Sequence, residues 1–193
     1  MRKLNRLEME FAQSVMEKAG PDAGILDAPC GSGRFFHMFS ASKDLTMLDF
    51  DQEMLKVVQD TYGGDRKLNL IQGDITDMPF EDNRFDLVFS MRLFHHVDDD
   101  EIRRRIMAEL TRVSRRYVAV SVYSRHTLRY WRRRILGKRP SGYSVILTEF
   151  INEAGKIGLG LVSKYPAVSF IEQQRMLLFE KFEKFEKMPP TAQ

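Results

Sequence analysis

The chain has 193 residues, of which 43% are hydrophobic and 30% are charged, a balance typical of one folded domain and not of a disordered segment. Its single cysteine, Cys30, excludes an internal disulfide, and no apolar stretch is long enough to span a bilayer. The charged N-terminus lacks the apolar centre of a signal peptide, so we expect a cytoplasmic protein.

The charges are spread unevenly along the chain, whose net charge is only +3. Between Arg103 and Arg139, thirteen Lys or Arg residues stand against one acid, Glu109, so this stretch carries +12 and the remainder −9. This asymmetry predicts an anionic partner for one face of the protein.

In chain order, an N-terminal segment with apolar residues at helical spacing ends at Gly20-Pro21. The apolar and alternating runs that follow predict strands at residues 24–28, 45–50, 67–72, 85–90, 117–123, 161–165 and 175–182. Helical patterns lie between most of them: one runs through residue 39, and the others span 51–62, 98–114 and 148–159, with Asp98 as an N-cap. This alternation predicts an α/β fold with a doubly wound, mainly parallel sheet.

We expect a single domain over residues 1–186, with a basic insertion at residues 124–142. The last residues, 187–193, are predicted to be a disordered tail. The protein is expected to be a monomer or a dimer.

The most informative local pattern is an apolar run that ends in Asp27 and is followed by the loop APCGSGR, residues 28–34. Gly31 and Gly33 permit positive φ and a close approach of backbone to a ligand, and a following helix would offer unpaired N–H groups. Glycine-rich turns after strands are also common structural devices, so the loop alone leaves both interpretations open. Phe36 stands where a dinucleotide-binding loop has its third glycine, which disfavours a dehydrogenase.

Two further acids follow predicted strands. Asp49 ends the second strand, where a carboxylate can accept hydrogen bonds from both hydroxyls of a ribose. The alternative role, N-cap of the next helix, suits Asp51 better. Asp74 follows the third strand, and taken singly it is best explained by a local turn hydrogen bond.

The segments LDAPCGSGR, LDFD, GDITDMPF and FDLVFSMRLFHHV, in this order and spacing, resemble the class I S-adenosylmethionine-dependent methyltransferases. The resemblance covers residues 25–122 and is greatest to the small-molecule and lipid-quinone branch. It implies a Rossmann-like, seven-stranded sheet with helices on both faces, mostly parallel, whose last strand is antiparallel. It also implies S-adenosyl-L-methionine as the cofactor.

The resemblance assigns roles to individual positions. The backbone from Ala28 to Gly33 would receive the amino-acid end of the cofactor, Asp49 would hold the ribose, and Phe50 would lie against the adenine face. Asp74 and Ile75 would bind the adenine edge, and Ser90 and Met91 would lie near the amine and the sulfonium. The complete set of expected cofactor-binding residues is Asp27, Ala28, Gly31, Gly33, Arg34, Asp49, Phe50, Asp74, Ile75, Ser90 and Met91.

The sequence departs from the family pattern at two places. Pro29 replaces the usual first loop glycine, a variant found in members with a PCGxGR loop. SRRY, residues 114–117, replaces the Pro-Gly-Gly turn that often precedes the fifth strand.

His95 and His96 follow the fourth strand, where the family's substrate pocket opens. Histidine is the side chain best suited to removing a proton near neutral pH. For His96 a structural or site-lining role is favoured over catalysis, and for His95 the choice stays open. A sulfonium donor is already activated, so alignment of the acceptor can suffice without a general base.

The segment from residue 124 to 140 combines arginines with Trp131 and Tyr130. Leu128, Trp131, Ile135 and Leu136 can share one helical face, so the arginines from Arg129 to Arg134 would contact an anionic membrane surface or a phosphorylated lipid. RNA phosphates and a simple solvated helix covering the sheet are the alternatives.

The sequence thus predicts a methyltransferase acting on a small-molecule or lipid-like, anionic acceptor, located in the cytoplasm or peripherally at a membrane. The alternatives are an RNA methyltransferase, which is disfavoured because no RNA-binding module is recognisable, and a non-catalytic methyltransferase-fold binding protein. No metal site is expected, since no Cys or His pair has the spacing of zinc ligands.

Overall fold

The structure, a computed structural model, describes residues 2–42, 44–64, 68–125, 127–137, 142–165 and 174–182. The helices are α1 Arg2–Ala19, α2 Phe36–Phe39, α3 Gln52–Val58, α4 Asp100–Val113, α5 Leu128–Ile135 and α6 Leu147–Lys156. The strands are β1 Gly24–Asp27, β2 Asp44–Asp49, β3 Asn69–Gln72, β4 Phe85–Ser90, β5 Ser114–Tyr123, β6 Leu159–Tyr165 and β7 Gln174–Lys181. The predicted tail, residues 187–193, lies outside the described residues.

The seven strands form one sheet in the order β3-β2-β1-β4-β5-β7-β6. Strands β1 to β5 pair in parallel, and β7 is antiparallel to both β5 and β6. The predicted α/β sheet with an antiparallel last strand is therefore confirmed.

The core lies on both faces of the sheet because neighbouring residues of each strand point to opposite sides. In β4, Phe89 packs with Phe11 of α1 and Phe39 of α2, whereas Val88 packs with Leu110 of α4 on the other face. Burial on both faces explains why the central strands are continuous apolar runs.

The predicted N-cap of α4 is wrong by one residue. The N-cap is Asp99, not Asp98, because the Asp99 carboxylate accepts hydrogen bonds from the backbone N–H groups of Glu101 and Ile102 at 2.7 and 3.3 Å. The prediction of Asp51 as the cap of α3 is confirmed by its 2.9 Å bond from the N–H of Glu53.

The basic excess between residues 103 and 139 is partly neutralised by tertiary ion pairs. Arg112 binds Glu109 and Asp82, Arg115 binds Asp86, and Arg116 binds Glu180, with further pairs between neighbouring turns of α4. Acids from other segments thus reduce the net positive charge of this part of the segment. Helix α5 carries four further arginines and no acid.

Within the described ranges, no helix has the length and apolar character to cross a membrane. The same residues contain no group of three His, Cys, Asp or Glu side chains arranged to hold a metal ion.

Candidate cofactor and active site

The predicted cofactor-binding segments meet where the strand order reverses. Strand β1 has β2 on one side and β4 on the other, and all three run parallel, so their carboxyl ends share one edge of the sheet. In open α/β sheets, the crevice at such a switch point is the usual ligand site. The loop after β1, Asp49 at the end of β2 and Ser90 at the end of β4 are brought together there.

The loop after β1 is held by hydrogen bonds of its own. The N–H of Gly31 donates to Asp49 Oδ2 at 2.7 Å, and the N–H of Gly33 donates to the carbonyl of Cys30 at 3.0 Å. Both amides thus have partners within the protein, and the following helix, α2, has four residues and begins only at Phe36.

The two glycines of the loop have different surroundings. Gly31 has φ +52° and a Cβ there would meet no atom within 4 Å, so the backbone is open on that side. Gly33 has φ +74°, and a Cβ there would lie 2.8 Å from Cε2 of Tyr62 and 3.1 Å from Cγ2 of Val58. The backbone at Gly31 is thus open on that side, whereas Gly33 is required for the loop to pack on α3 and on the π-helix Gln59–Gly63 that follows it.

Asp49 is buried at the end of β2, and its two carboxylate oxygens serve different segments. Oδ2 accepts from Gly31, and Oδ1 accepts from the N–H of Asp51 at 3.0 Å. A carboxylate oxygen accepts more than one hydrogen bond, so both can also receive hydroxyl groups. The next residue, Phe50, is 74% exposed, an unusual position for a large aromatic side chain and one that suits stacking on a flat ligand.

Two buried polar atoms at the carboxyl ends of β1 and β4 have no hydrogen-bond partner among the described residues: Asp27 Oδ2 and Ser90 Oγ. Burial, and secondarily the nearby Asp49 carboxylate, raises the pKa of Asp27 well above its usual range. Buried polar groups are normally paired, so these atoms mark a functional position more than a stabilising one.

Asp74 lies in an exposed turn after β3. Its Oδ1 accepts from the backbone N–H and the hydroxyl of Thr76 at 2.8 and 2.9 Å, and these bonds lower the pKa of the carboxyl. The local-turn interpretation is therefore correct for Oδ1. Ile75 is half-buried and packs against the core below the same edge of the sheet.

The other expected cofactor residues fall into two groups. Ala28 and Met91 are buried beneath the crevice, where the N–H of Ala28 donates to the carbonyl of Phe89 at 2.9 Å. The Arg34 side chain turns toward α1 and forms an ion pair with Glu8.

Cys30 is buried, and burial raises the pKa of its thiol, so it is a packing residue of the loop and not an activated nucleophile.

The two histidines differ in environment. His95 is half-buried, its ring stacks on Tyr123 with centroids 4.3 Å apart and an interplanar angle of 9°, and its Nδ1 is buried without a partner in the described structure. Burial, followed by the proximity of His96 and Arg92, lowers the pKa of His95 to about 4. His95 is therefore neutral near pH 7, whereas His96 is exposed beside it.

Helix α5 carries the remaining feature predicted to contact a partner. Its four arginines occur with no acid, and Leu128, Trp131 and Ile135 are exposed, as is Leu136 just after it. Arg132 is exposed. The side chains of Arg129, Tyr130, Arg133 and Arg134 lie outside the described residues.

Sequence reasoning missed Glu8 and Tyr62. Glu8 is buried in α1 and contacts arginines from two segments, and Tyr62 packs on Gly33 and stacks on Phe36 with centroids 4.6 Å apart. An acid on the apolar stripe of α1, three residues before Phe11, was the available signal for Glu8. No sequence pattern indicated Tyr62.

The strand order, with the glycine-bearing loop after β1 and the acid after β2, is that of the Rossmann-like class I methyltransferase fold. Residues 25–116 match the family model described as a methyltransferase domain. The resemblance predicted from the sequence is confirmed: the chain has the class I methyltransferase fold and, over those residues, the sequence of a methyltransferase domain.

This chain matches only part of the length of its curated relatives. The demethylmenaquinone methyltransferase of Staphylococcus aureus (strain MRSA252) is 34% identical over 84 residues, which are 40% of this chain and 35% of that protein. The sarcosine/dimethylglycine N-methyltransferase of Halorhodospira halochloris is 28% identical over 116 residues, 58% of this chain and 40% of that protein. The matched region thus spans 35% of the first relative and 40% of the second.

Solved structures share the fold over nearly the whole chain. Magnesium protoporphyrin IX methyltransferase from Synechocystis PCC 6803, solved with bound SAH, superposes with a TM-score of 0.79 at 14% identity, covering 93% of this chain and 84% of that one. An S-adenosylmethionine-dependent methyltransferase from Clostridium acetobutylicum ATCC 824 gives a TM-score of 0.73 at 13% identity over 92% and 91% of the two chains.

Proposed function

We propose that this chain binds S-adenosyl-L-methionine and transfers its methyl group to a small-molecule acceptor. The observation that carries the proposal is the meeting of Gly31, Asp49 and Phe50 at the switch point of the sheet. There an open backbone, a buried carboxylate and an exposed aromatic ring offer three different kinds of contact within one crevice. When bound, the cofactor supplies a methyl group on a positively charged sulfur.

Each residue contributes one physical function to cofactor binding. Asp49 accepts the ribose hydroxyls while it holds the loop through Gly31, and Phe50 covers the adenine. Gly31 leaves space for the amino-acid end. Asp27 and Ser90, whose buried oxygens have no protein partner among the described residues, supply polar groups beneath that end.

The acceptor is expected to approach beside His95. Its imidazole is neutral near pH 7 and is fixed by stacking on Tyr123, so it can accept a hydrogen bond from the acceptor and orient it, whereas its lowered pKa makes it a weak base for removing a proton. Where the acceptor ionises by itself, the same ring orients it. His96, which is exposed, lines the entrance.

For the chemical class of acceptor, the proposal is a lipid-like or anionic molecule reached at a membrane surface. Helix α5 has exposed apolar side chains, several arginines and no acidic residue. This composition is typical of a helix that lies on an anionic bilayer. The matched relative named for demethylmenaquinone supports an apolar acceptor. RNA is the competing anionic partner, and the exposed Trp131 and Ile135 favour lipid because RNA phosphates do not require an apolar face.

A methyl-transfer assay tests this proposal. Purified protein is incubated with S-adenosylmethionine carrying a labelled methyl group and, separately, with lipid, quinone, glycan and RNA extracts. Label in an extractable small molecule or lipid is the expected result. Label only in RNA would promote the RNA alternative, and no label in any extract, from a protein that still binds the cofactor, would favour a non-catalytic binding protein.

A further inference from the structure

Glu8 of α1 has no exposed surface, although its side chain is charged. The carboxylate accepts two hydrogen bonds from Arg92, at 2.8 Å from Nε and 2.8 Å from Nη2, and one from Nε2 of Gln174 at 2.7 Å. It also forms an ion pair with Arg34. One buried acid therefore joins α1 to three segments that are far apart in sequence.

Two of these segments belong to the proposed cofactor site. Arg34 directly follows Gly33 in the loop after β1. Arg92 comes two residues after Ser90, at the carboxyl end of β4. The carboxylate of Glu8 thus lies between the two sides of the crevice and holds both through their arginines.

Arg92 is also held in an uncommon backbone conformation. Its φ is +58°, a region that non-glycine residues rarely adopt, and its N–H donates to Ser121 Oγ at 2.7 Å. Such a conformation persists only where surrounding contacts fix it. The pair with Glu8 and the bond to Ser121 are these contacts, and they determine the path of the chain from Ser90 toward His95.

The arrangement is better suited to fixing geometry than to stabilising the fold. A buried ion pair contributes little net stability compared with well-packed apolar side chains of similar size, because desolvation of the charges offsets their attraction. The bidentate ion pair between Arg92 and Glu8 does, however, fix the distance and orientation of the two side chains.

We propose that Glu8 is a positioning residue of the cofactor site: it fixes the loop after β1 through Arg34 and the end of β4 through Arg92, and so couples the docking of α1 to cofactor binding. The inference rests on the proposed function, since it assumes that the crevice binds S-adenosylmethionine. If cofactor binding requires the docked helix, the bound cofactor must in turn hold α1 in place.

The test compares Glu8→Gln with Glu17→Gln, an isosteric change on the exposed side of the same helix. Affinity for S-adenosylhomocysteine is measured by calorimetry at a temperature where circular dichroism shows both variants folded. Glu8→Gln is expected to weaken binding by about tenfold or more, the size of a typical coupling between sites, and Glu17→Gln to leave it within about twofold. Wild-type affinity in folded Glu8→Gln would overturn the inference.

A double-mutant cycle with Arg34→Met shows whether Glu8 acts through the loop. The double variant should lose less affinity than the two single losses combined, because both changes break the same contact. Losses that simply add would overturn this part. Hydrogen exchange supplies a second readout: S-adenosylhomocysteine should slow exchange in α1 of the wild type and not in Glu8→Gln.

If Glu8→Gln does not fold, the inference is tested with Arg92→Gly instead. This variant is expected to fold, because Arg92 is partly exposed and glycine adopts its φ without strain. This variant should also bind weakly, and wild-type affinity would contradict the inference. Failure of the wild type itself to bind S-adenosylhomocysteine would contradict the proposed function instead, so the two failures are distinguishable.

Discussion

The carboxylate of Asp49 accepts a 2.7 Å hydrogen bond from the backbone N–H of Gly31, and this bond joins the end of β2 to the loop after β1. The acid that the sequence assigned to ribose binding therefore also shapes the loop that would receive the other end of the cofactor. A ligand that bonds to Asp49 meets a loop already fixed, so less ordering is required on binding.

Gly33 is expected to act through packing. Gly33→Ala places a methyl group against Tyr62 at a positive φ, so it should lower the free energy of unfolding by about 1–3 kcal/mol. Chemical denaturation measures the loss. Adding Tyr62→Leu should recover part of it, because the nearest colliding atom is removed. If Gly33→Ala is as stable as the wild type, the packing explanation is wrong.

Asp27 is expected to lower the stability of the fold near pH 7 and to contribute to cofactor binding. Burial and Asp49 raise the pKa of its carboxyl, so the folded state holds a proton that the unfolded state releases, and its contribution to stability falls as pH rises above the ordinary value of 3.8. Asp27→Asn should therefore raise the melting temperature near pH 7 and weaken S-adenosylhomocysteine binding. The difference in melting temperature should shrink toward pH 4. Asp60→Asn, at an exposed position, is the control and should change neither quantity.

His95 is expected to titrate far below the ordinary range of a histidine. Because the folded pKa of about 4 lies below the ordinary value of 6.5, the unfolded state binds more protons between these values, and stability contributed by neutral His95 is lost as pH falls through that window. The charged groups that set this shift are His96 and Arg92, which lower the pKa, and Glu8, which raises it.

Imidazole resonances followed by NMR from pH 3.5 to 8 check this prediction. Methyl-transfer rates should show no inflection from His95 between pH 5 and 7. A His95 midpoint near 6.5 would show that the imidazole is charged in part near neutrality and would remove the argument for a neutral ring that accepts a hydrogen bond from the acceptor.

Helix α5 is expected to bind anionic bilayers. Replacing Arg132 and Arg133 by Glu should reduce sedimentation with vesicles that contain phosphatidylserine, and Trp131→Ala should reduce it separately through the apolar contact. Wild-type binding should weaken with salt. All variants should keep cofactor affinity. Equal binding of the wild type to neutral vesicles, or preference for structured RNA over vesicles, would contradict the lipid interpretation.

The order and type of the elements followed from local patterns, because strand and helix periodicities and caps such as Asp51 are encoded within a few residues. Boundaries were less certain: Asp98 and Asp99 are adjacent candidates, and only the geometry of α4 distinguishes them. The antiparallel β7 came from the resemblance, since no local pattern specifies the direction of a strand.

The positions of Gly31, Asp49 and Ser90 at one edge of the sheet were also predictable, because Gly31 follows a recognisable strand and Asp49 and Ser90 end two others. The roles that depend on distant contacts were not. Glu8 and Arg92 are separated by 84 residues, and the constraint on Gly33 comes from Tyr62 on another element. Such pairs are determined by tertiary packing, which a single sequence does not display.

The most direct test of the central claim is a calorimetric titration of S-adenosylhomocysteine into the wild type, Asp49→Ala and Asp51→Ala. We predict saturable binding to one site in the wild type and a loss of about 1–3 kcal/mol in Asp49→Ala, whose removal leaves ligand hydroxyls and the Gly31 amide without an acceptor. Asp51→Ala removes only the cap of α3 and should retain affinity with lower stability. No binding by the folded wild type, or unchanged affinity in folded Asp49→Ala, would contradict a cofactor site at the ends of β1 and β2.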